Sequence, residues 1–190
     1  VVDAPSDDVY IDPSIQNVNI SSTLGGGFAT VSYSEESVAT NITDDEDVTT
    51  ITLNATATTS EDGGSITYTA TLDNVAKNDV TVTLDNGETI TIKAVGTVLA
   101  DGSIANGLSG SVDVAVNKDD VYTESDSTFT FITAATQAGA LGDFEDLKVN
   151  ATPAATTITD DSDDTTVSLS ATPTTSEDGG SITYTATLDN

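Results

Sequence analysis

The sequence contains no cysteine, methionine, tryptophan, histidine or arginine, and its basic side chains are four lysines. Without cysteine and histidine, neither a disulfide framework nor a Cys/His zinc site can form. The same absences exclude Ser/His/Asp and Cys/His nucleophilic catalysis. A carboxylate pair for glycoside hydrolysis would need a cleft, and nothing in the sequence predicts one. We therefore expect no enzymatic activity.

Long apolar runs are also missing. No stretch approaches the roughly 20 apolar residues of a membrane-spanning helix, so direct membrane insertion is not expected. No signal peptide is present at Val1. We expect the chain to begin inside a longer protein.

Acidic residues dominate the charge, with 32 Asp and Glu against 4 Lys and a formal net charge of -28. Such a chain repels nucleic acid and anionic membranes, so cations are the expected ligands. High charge with 5% aromatic residues also occurs in disordered chains. However, 36% of the residues are hydrophobic, and they alternate with Thr and Ser. This alternation predicts a folded β protein.

A long internal repeat organises the chain. The sixteen residues TSEDGGSITYTATLDN occupy positions 59–74 and recur unchanged at 175–190, an offset of 116 residues. The similarity continues upstream, because the motif ITDD begins at Ile42 and again at Ile158. Chance does not produce an identity of this length, so the chain is a tandem-repeat protein.

Period-2 runs bounded by Gly, Asn and Asp predict seven strands in each repeat. Seven short antiparallel strands are typical of an immunoglobulin-like β-sandwich, so the predicted fold class is all-β, with tandem seven-stranded sandwiches. The predicted strands, lettered A to G, are 49–56, 65–72, 80–84, 89–94, 111–116, 128–133 and 147–155.

Alternation along these strands predicts which side chains face the core. The predicted core residues are Ile51, Leu53, Ile66, Tyr68, Ala70, Leu72, Val80, Val82, Ile90, Ile92, Val112, Val114, Phe129, Phe131, Leu147 and Val149.

The offset of the repeat predicts three segments. Residues 44–159 form a complete repeat, which we call the central repeat. Residues 1–43 are predicted to be strands E to G of a preceding copy, and residues 160–190 strands A and B of a following copy. The long segment 96–110 between strands D and E is predicted to be a surface loop that could bring Asp101 towards the upstream junction.

Several motifs together resemble one protein family: ITDD, SEDGGSITYTATLDN, VTVTLDNGETITI, SGSVDVAV and DDVY. They are similar to the extender repeats of giant type I secreted RTX adhesins of the Lap type. The resemblance implies bacterial immunoglobulin-like spacers that project an adhesive tip from the cell surface, are stiffened by calcium and support biofilm formation. The nonapeptide calcium repeat of such proteins is missing here, which fits a segment from the middle of the chain.

Strand polarity predicts that acidic loops gather at the two ends of the central repeat, because the A–B, C–D and E–F turns meet where strand G leaves the domain. The acids at that end are Glu61, Asp62, Asp85, Glu88, Asp119, Asp120, Glu124, Asp126, Asp160, Asp161, Asp163 and Asp164, and those at the opposite end are Asp44, Asp45, Glu46, Asp47, Asp73, Asp79, Asp101, Asp143, Glu145 and Asp146.

Calcium suits these acids, because it takes about six to eight oxygen ligands from carboxylates, carbonyls and water. The linker is not an EF-hand loop, since it lacks the Gly at the turn and the closing Glu. The alternative is that the acids are solvated charges and turn formers. The predicted Ca²⁺ ligands are Asp7, Asp8, Asp44, Asp45 and Asp47 at the upstream junction and Glu61, Asp62, Asp119, Asp120, Asp160, Asp161 and Asp163 at the downstream junction.

The motif DDVY ends at Tyr10 and again at Tyr122, an offset of 112 residues. Each tyrosine is predicted to pack its ring on a core and to donate its hydroxyl to a backbone carbonyl, as in a tyrosine corner. Ligand binding by these rings is the alternative.

Three functions remain open. The first is a structural extender segment of a calcium-stiffened bacterial cell-surface adhesin, whose partners are neighbouring repeats of the same chain. The second is a subunit of an extracellular filament, in which other copies of the chain complete the partial sandwiches by strand donation. The third is a glycan- or protein-binding module, although near-identical repeats favour a length function. Nucleic acid is not an expected partner, and the expected location is extracellular.

Overall fold

The computed structural model describes residues 1–117, 119–123 and 125–190, with Ser125 described by its backbone alone. Glu124, one of the acids predicted at the strand-G end, lies outside the described residues. Within the described ranges, no residue is helical. The strands are β1 (Ser14–Val18), β2 (Val38–Ile42), β3 (Val48–Ala55), β4 (Thr58–Ser60), β5 (Ser65–Leu72), β6 (Val80–Leu84), β7 (Thr89–Ile92), β8 (Ser109–Ala115), β9 (Ser125–Thr130), β10 (Ile132–Thr136), β11 (Asp146–Val149), β12 (Ala154–Thr159), β13 (Val167–Ala171) and β14 (Tyr184–Leu188).

The chain divides into two compact units. The first comprises Val1–Asn54, Thr69–Val112 and Thr130–Pro153, and the second comprises Ala55–Tyr68, Asp113–Phe129 and Ala154–Asn190. The first unit contains the antiparallel sheets β1-β2 and β10-β6-β7. The second contains the antiparallel pair β13-β14 and the parallel pair β4-β12.

The fold is an all-β, immunoglobulin-like sandwich, as predicted. The prediction that its strands are all antiparallel was wrong, because β11 pairs in parallel with β3 and β12 with β4. Its further sheets have the strand orders β11-β3-β5-β8 and β4-β12-β9. Burial alternates along β5, where Ile66, Tyr68, Ala70 and Leu72 are buried and the residues between them are not. Short strands that alternate as β5 does give a sheet one apolar face, which is what a sandwich requires, whereas the strands β13 and β14 are exposed throughout.

Two predicted strands, F and G, are each divided between two sheets. Strand F is β9 and β10, and strand G is β11 and β12, whereas predicted strand A is β3 alone and β4 is a further short strand after it. In strand F the break falls at Phe131, whose N–H donates to a carboxylate oxygen of Asp85 (3.2 Å) and whose carbonyl accepts from the Asp85 N–H (3.1 Å). In strand G, Pro153 precedes β12 and has no N–H with which to continue a ladder.

The predicted core residues of strands A to D are all buried, from Ile51 to Ile92. Burying an aliphatic side chain of this size contributes about 1.5 to 3 kcal/mol, so these strands supply the main apolar term. Val112, Val114, Leu147 and Val149 are only partly buried. Strands E and G therefore contribute less to the core than predicted.

The prediction for strand F was wrong about which face is buried. Phe129 and Phe131 are 61% and 45% exposed, whereas Thr130 and Ile132 are buried. Adjacent residues of a strand point to opposite faces, so Phe131 and Ile132 cannot both be buried. With Ile132 inside, both phenylalanines face outward.

The tyrosine prediction is confirmed for Tyr10 and wrong for Tyr122. The Tyr10 hydroxyl donates to the Val75 carbonyl at 2.5 Å, and its ring stacks on Phe144. Tyr122 is 72% exposed. Phe144 is buried but was not in the predicted core.

The hairpin β13-β14 repeats the pairing of β3 with β5. In both copies an Asp N–H near the end of the second strand donates to a Thr carbonyl in the first: Asp73 to Thr50 (3.2 Å) and Asp189 to Thr166 (3.3 Å). Burial differs, because Leu53 is buried and its equivalent Leu169 is exposed. The 190 residues contain no counterpart, 116 positions on, of the strands that follow β5 in the central repeat.

The loop between β7 and β8 lies on the surface, which confirms that prediction. Val98 and Ile104 form an isolated bridge, and both side chains are exposed. The Asp101 carboxylate accepts from the N–H (2.9 Å) and the hydroxyl (2.7 Å) of Ser103, so it stabilises the tip of its own loop.

Candidate metal centre

Three predicted calcium ligands come together in the second unit. Asp119 follows β8, while Asp161 and Asp163 follow β12. Ligand oxygens from the three carboxylates lie within 4.8 Å of one another, and all three side chains are exposed. We call these three residues the downstream cluster. Because like charges this close repel one another, the arrangement favours a bridging cation.

A glycine-rich turn holds Glu61 and Asp62 after β4. Gly63 has a φ of 67°, and at Gly64 a Cβ would overlap the carbonyl oxygen of Ser60. Both positions therefore require glycine, which explains the sequence EDGG. The tight turn keeps the two acids at the end of the strand.

Glu61 is 4% exposed and connects this turn to the downstream cluster. Its N–H donates to the Thr159 carbonyl (3.1 Å), and its carboxylate accepts from the N–H of Asp161 (3.3 Å). Burial raises the pKa of Glu61, and a shared hydrogen bond with Asp160 raises it further, while the Asp161 N–H acts in the opposite direction. Glu61 is thus a carboxylate in a poorly solvated environment beside Asp160 and Asp161.

The remaining predicted downstream ligands surround these residues. Burial raises the pKa of Asp163, and the charges of Asp119, Asp161, Asp62 and Asp160 raise it further. A polar pocket of about 50 Å³ is lined by residues 120–123 and 160–163. A small hollow walled by carboxylates and backbone matches the oxygen-rich environment that Ca²⁺ prefers.

A second group of acids lies in the first unit. A hydrogen bond shared with Asp45, and the charge of Asp45, raise the pKa of Asp7 to about 6, with further contributions from burial and the charges of Asp47 and Glu145. We call Asp7, Asp45 and Asp47 the upstream cluster. Two carboxylates that share a proton cannot both ionise easily unless a cation is near.

Glu145 belongs beside the upstream cluster but was absent from the predicted ligand set. One of its carboxylate oxygens accepts from the Asp47 N–H at 2.5 Å. The other is buried and has no hydrogen-bond partner among the described residues. The Asp47 N–H lowers the pKa of Glu145, but burial and the charges of Asp44, Asp47 and Asp45 outweigh it and raise the pKa. A buried oxygen without a donor is unfavourable, so it is available to a cation.

The two clusters consist of equivalent residues in successive copies of the repeat. Asp45 and Asp47 correspond to Asp161 and Asp163 at the offset of 116, and Asp7 corresponds to Asp119 at the offset of 112 that relates the two DDVY motifs. Each cluster therefore combines one acid from the DDVY motif with two from the ITDD region.

Asp8 and Asp44 make other interactions. The Asp8 carboxylate accepts from the Tyr10 N–H (2.9 Å) and lies 3.7 Å from the Lys77 ammonium. The Asp44 carboxylate accepts from the N–H of Asp12 (3.1 Å). Neither residue shares the hydrogen bond between Asp7 and Asp45, although the charge of Asp44 acts on the neighbouring Glu145. Asp120 likewise accepts from a backbone N–H, that of Tyr122 at 2.7 Å.

The fold and the acidic clusters define the class: a tandem-repeat, immunoglobulin-like β protein whose loops carry grouped carboxylates. A protein-family model described as the LapA domain matches residues 47–161, more than half of the chain, so the chain belongs to the LapA domain family. This agrees with the resemblance to Lap-type adhesins and indicates an adhesin-related role. No curated protein and no solved structure matches the chain. Among the described residues, no helix is long and apolar enough to cross a membrane.

Proposed function

We propose that this chain is a structural extender segment of a calcium-stiffened bacterial cell-surface adhesin, with a mechanical and not a catalytic role. Repeats of this kind would separate an adhesive tip from the cell and so support adhesion and biofilm formation. The observation that carries the proposal is the downstream cluster, and its sequence equivalents Asp7, Asp45 and Asp47 also lie close enough to raise the pKa of Asp7.

Repetition supports a length function. A ligand-binding tip would need only one copy of its site, whereas residues 59–74 and 175–190 are identical. Stacking identical units extends a chain without adding a new specificity. Membership of the LapA domain family, an adhesin-related family, also supports a length function.

Charge supports a role for calcium. The downstream cluster gathers three carboxylates within 4.8 Å, in a chain with a net charge of -28. Without a counter-ion this repulsion would disfavour the arrangement, and a divalent cation would reverse the sign of the interaction. Asp119, Asp161 and Asp163 would hold the ion, with Glu61 nearby and backbone carbonyls or water completing the six to eight oxygen ligands.

The upstream cluster would hold a second ion in the same way. Asp7, Asp45 and Asp47 would be the ligands, joined by the unpartnered oxygen of Glu145. In each case the ion would tie the DDVY motif to the ITDD region that follows it, 38 residues on from Asp7 to Asp45 and 42 residues on from Asp119 to Asp161. A clamp of this kind would stiffen the junction between successive repeats.

Calorimetric titration of Ca²⁺ into the full chain tests this proposal. We expect binding by the unchanged chain and fewer bound ions after Asp161→Asn with Asp163→Asn. The matched control, Asp113→Asn, removes an exposed charge outside the clusters and should leave the number of ions unchanged. Mg²⁺ should bind more weakly, because it demands a strict octahedral set of ligands. Equal stoichiometry for the double variant and the unchanged chain would show that the downstream cluster is not a calcium site.

A further inference from the structure

The segment that contains the first DDVY motif is joined to the central repeat by backbone pairing. Tyr10 forms an antiparallel bridge with Phe144. The Ile11 N–H donates to the Asp143 carbonyl (2.9 Å), and the Gly142 N–H donates to the Ile11 carbonyl (3.0 Å). All of these residues lie in the first unit. The motif thus adds a short strand to the loop before β11.

The side chain of Tyr10 fits a site made by three residues of the central repeat. Its ring is stacked on Phe144, with ring centroids 5.5 Å apart, and the Lys77 ammonium lies 3.3 Å from the centre of the Tyr10 ring. Its hydroxyl donates to the Val75 carbonyl at 2.5 Å. We call Val75, Lys77 and Phe144 the tyrosine dock. It combines stacking, a cation–π contact and a hydrogen bond on one side chain.

The tyrosine dock is held in shape by a buried carboxylate. Asp143 is 1% exposed and accepts from the Asn78 amide (2.9 Å) and the Ala140 N–H (2.7 Å). Gly142, with a φ of 85°, allows the loop to turn immediately before Phe144. These bonds of Asp143 hold the loop within the central repeat, in addition to its pairing with Ile11.

Tyr122 has the same local structure as Tyr10 but lacks its burial. The Tyr122 N–H donates to the Asp120 carboxylate at 2.7 Å, just as the Tyr10 N–H donates to the Asp8 carboxylate at 2.9 Å. The ring of Tyr122 is 72% exposed, whereas Tyr10 is half-buried. Tyr10 occupies the tyrosine dock from the same kind of turn, so the exposed ring of Tyr122 has the form that a second dock would receive.

We propose that Tyr122 is the docking residue for a further copy of this repeat, whose own tyrosine dock would receive it as the central repeat receives Tyr10. Asp120 would face the lysine of that copy, as Asp8 faces Lys77 at 3.7 Å. The DDVY motif would then fasten each repeat to the next by aromatic and cation–π contacts beside any metal ion. This inference rests on the proposed tandem extender function.

An extended chain tests the proposal. Asn190 is the equivalent of Asn74, so residues 1–190 followed directly by a second copy of residues 75–190 keep the repeat in register. Tyrosine nitration, read residue by residue with mass spectrometry, reports ring accessibility. In the 190-residue chain Tyr122 should react several-fold faster than Tyr10. The extended chain carries Tyr122→Phe in its second copy, because the two copies otherwise give identical peptides around this residue. Its remaining Tyr122 should slow to the rate of Tyr10.

Two results would overturn the proposal: Tyr122 reacting as fast in the extended chain as in the original, or Tyr10 and Tyr122 reacting equally in the original chain. Lys77→Ala in the second copy alone is the matched variant, since Lys77 is exposed and its loss should not unfold the repeat. It should restore the reactivity of Tyr122 and leave Tyr10 unchanged. Nitration tests the docking of Tyr122, and calorimetric titration tests calcium binding. Failure of one proposal can therefore be told apart from failure of the other.

Discussion

At the scale of single residues, the chemistry of the upstream cluster centres on one proton. Asp7 and Asp45 share a hydrogen bond, which only a protonated carboxyl can donate, and the nearby negative charges disfavour a second ionised group. The pKa of Asp7 is therefore raised to about 6. A calcium ion bound at this cluster would compete with this proton for the same oxygens.

The titration of Asp7 should be visible directly. In chelator, we expect the side-chain carboxyl signal of Asp7 in an NMR titration to have its midpoint near 6. The two largest causes of the raised pKa are the hydrogen bond with Asp45 and the charge of Asp45, and Asp45→Asn removes both. The midpoint should then fall towards the ordinary value for Asp. A midpoint near the ordinary value in the unchanged chain would contradict the shared proton.

The sign of the pH effect follows from the same shift. Between the ordinary Asp pKa of 3.8 and about 6, Asp7 binds more protons in the folded than in the unfolded chain. In the absence of metal, the contribution of Asp7 to the free energy of unfolding therefore decreases as the pH rises through this window. Calcium must displace the proton, so its affinity for this cluster should fall as the pH drops below about 6.

Asp143 is the residue whose loss should most weaken the loop before β11. It is almost fully buried and accepts hydrogen bonds from Asn78 and Ala140. Hydrogen bonds to a charged group contribute about 1.5 to 3 kcal/mol, so Asp143→Ala should lower the free energy of unfolding by about 2 to 3 kcal/mol in urea denaturation. Asp113→Ala removes a carboxylate from an exposed site and should change the free energy of unfolding by less than about 0.5 kcal/mol. Equal losses in the two variants would contradict the role of Asp143.

At the scale of elements, strand F shows where alternation alone fails. The run TFTFIT has two possible inward faces, and the larger aromatic residues favoured the wrong one. Burial alternates regularly from Phe129 to Thr133 with Thr130 and Ile132 inside, and both polar groups of the outward-facing Phe131 bond to Asp85. A contact 46 residues away in the chain leaves no signal in the local pattern.

Two substitutions in this strand should separate the faces. Ile132→Ala creates a cavity in the core and should cost about 2 to 5 kcal/mol in the free energy of unfolding. Phe129→Thr alters an exposed side chain and should change it by about 0.5 kcal/mol or less. Thermal and urea unfolding of both variants measure the difference. A larger loss for Phe129→Thr would restore the original prediction for strand F.

Local pairing was readable from the sequence, while burial and long-range contacts were not. The hydrogen bonds between Asp73 and Thr50 recur between Asp189 and Thr166, because hairpin pairing depends on nearby residues. The unpredicted features all need distant partners. Glu145 accepts from the Asp47 N–H across 98 residues, and the prediction for Tyr10 did not identify its acceptor, the Val75 carbonyl 65 residues away. Acidic composition predicted which ends carry the clusters, but only the closed fold shows which acids are brought together.

At the scale of the whole molecule, the proposed function depends on what neutralises the charge. The chain carries a net charge of -28, and equivalent acidic clusters recur with the repeat. We expect calcium to restrict the motion of successive repeats while leaving each sandwich folded without it, because the buried aliphatic residues do not depend on a metal ion.

Small-angle X-ray scattering on a chain of several repeats, first with calcium and then with chelator, tests the calcium clamp most directly. We predict that chelator increases flexibility and changes the maximum dimension, and that far-ultraviolet circular dichroism stays that of a β protein. Asp161→Asn with Asp163→Asn should reproduce the effect at the affected junction while calcium is present. If the maximum dimension and the flexibility are the same with calcium and with chelator, the clusters are not calcium clamps and the acids are only solvated charges.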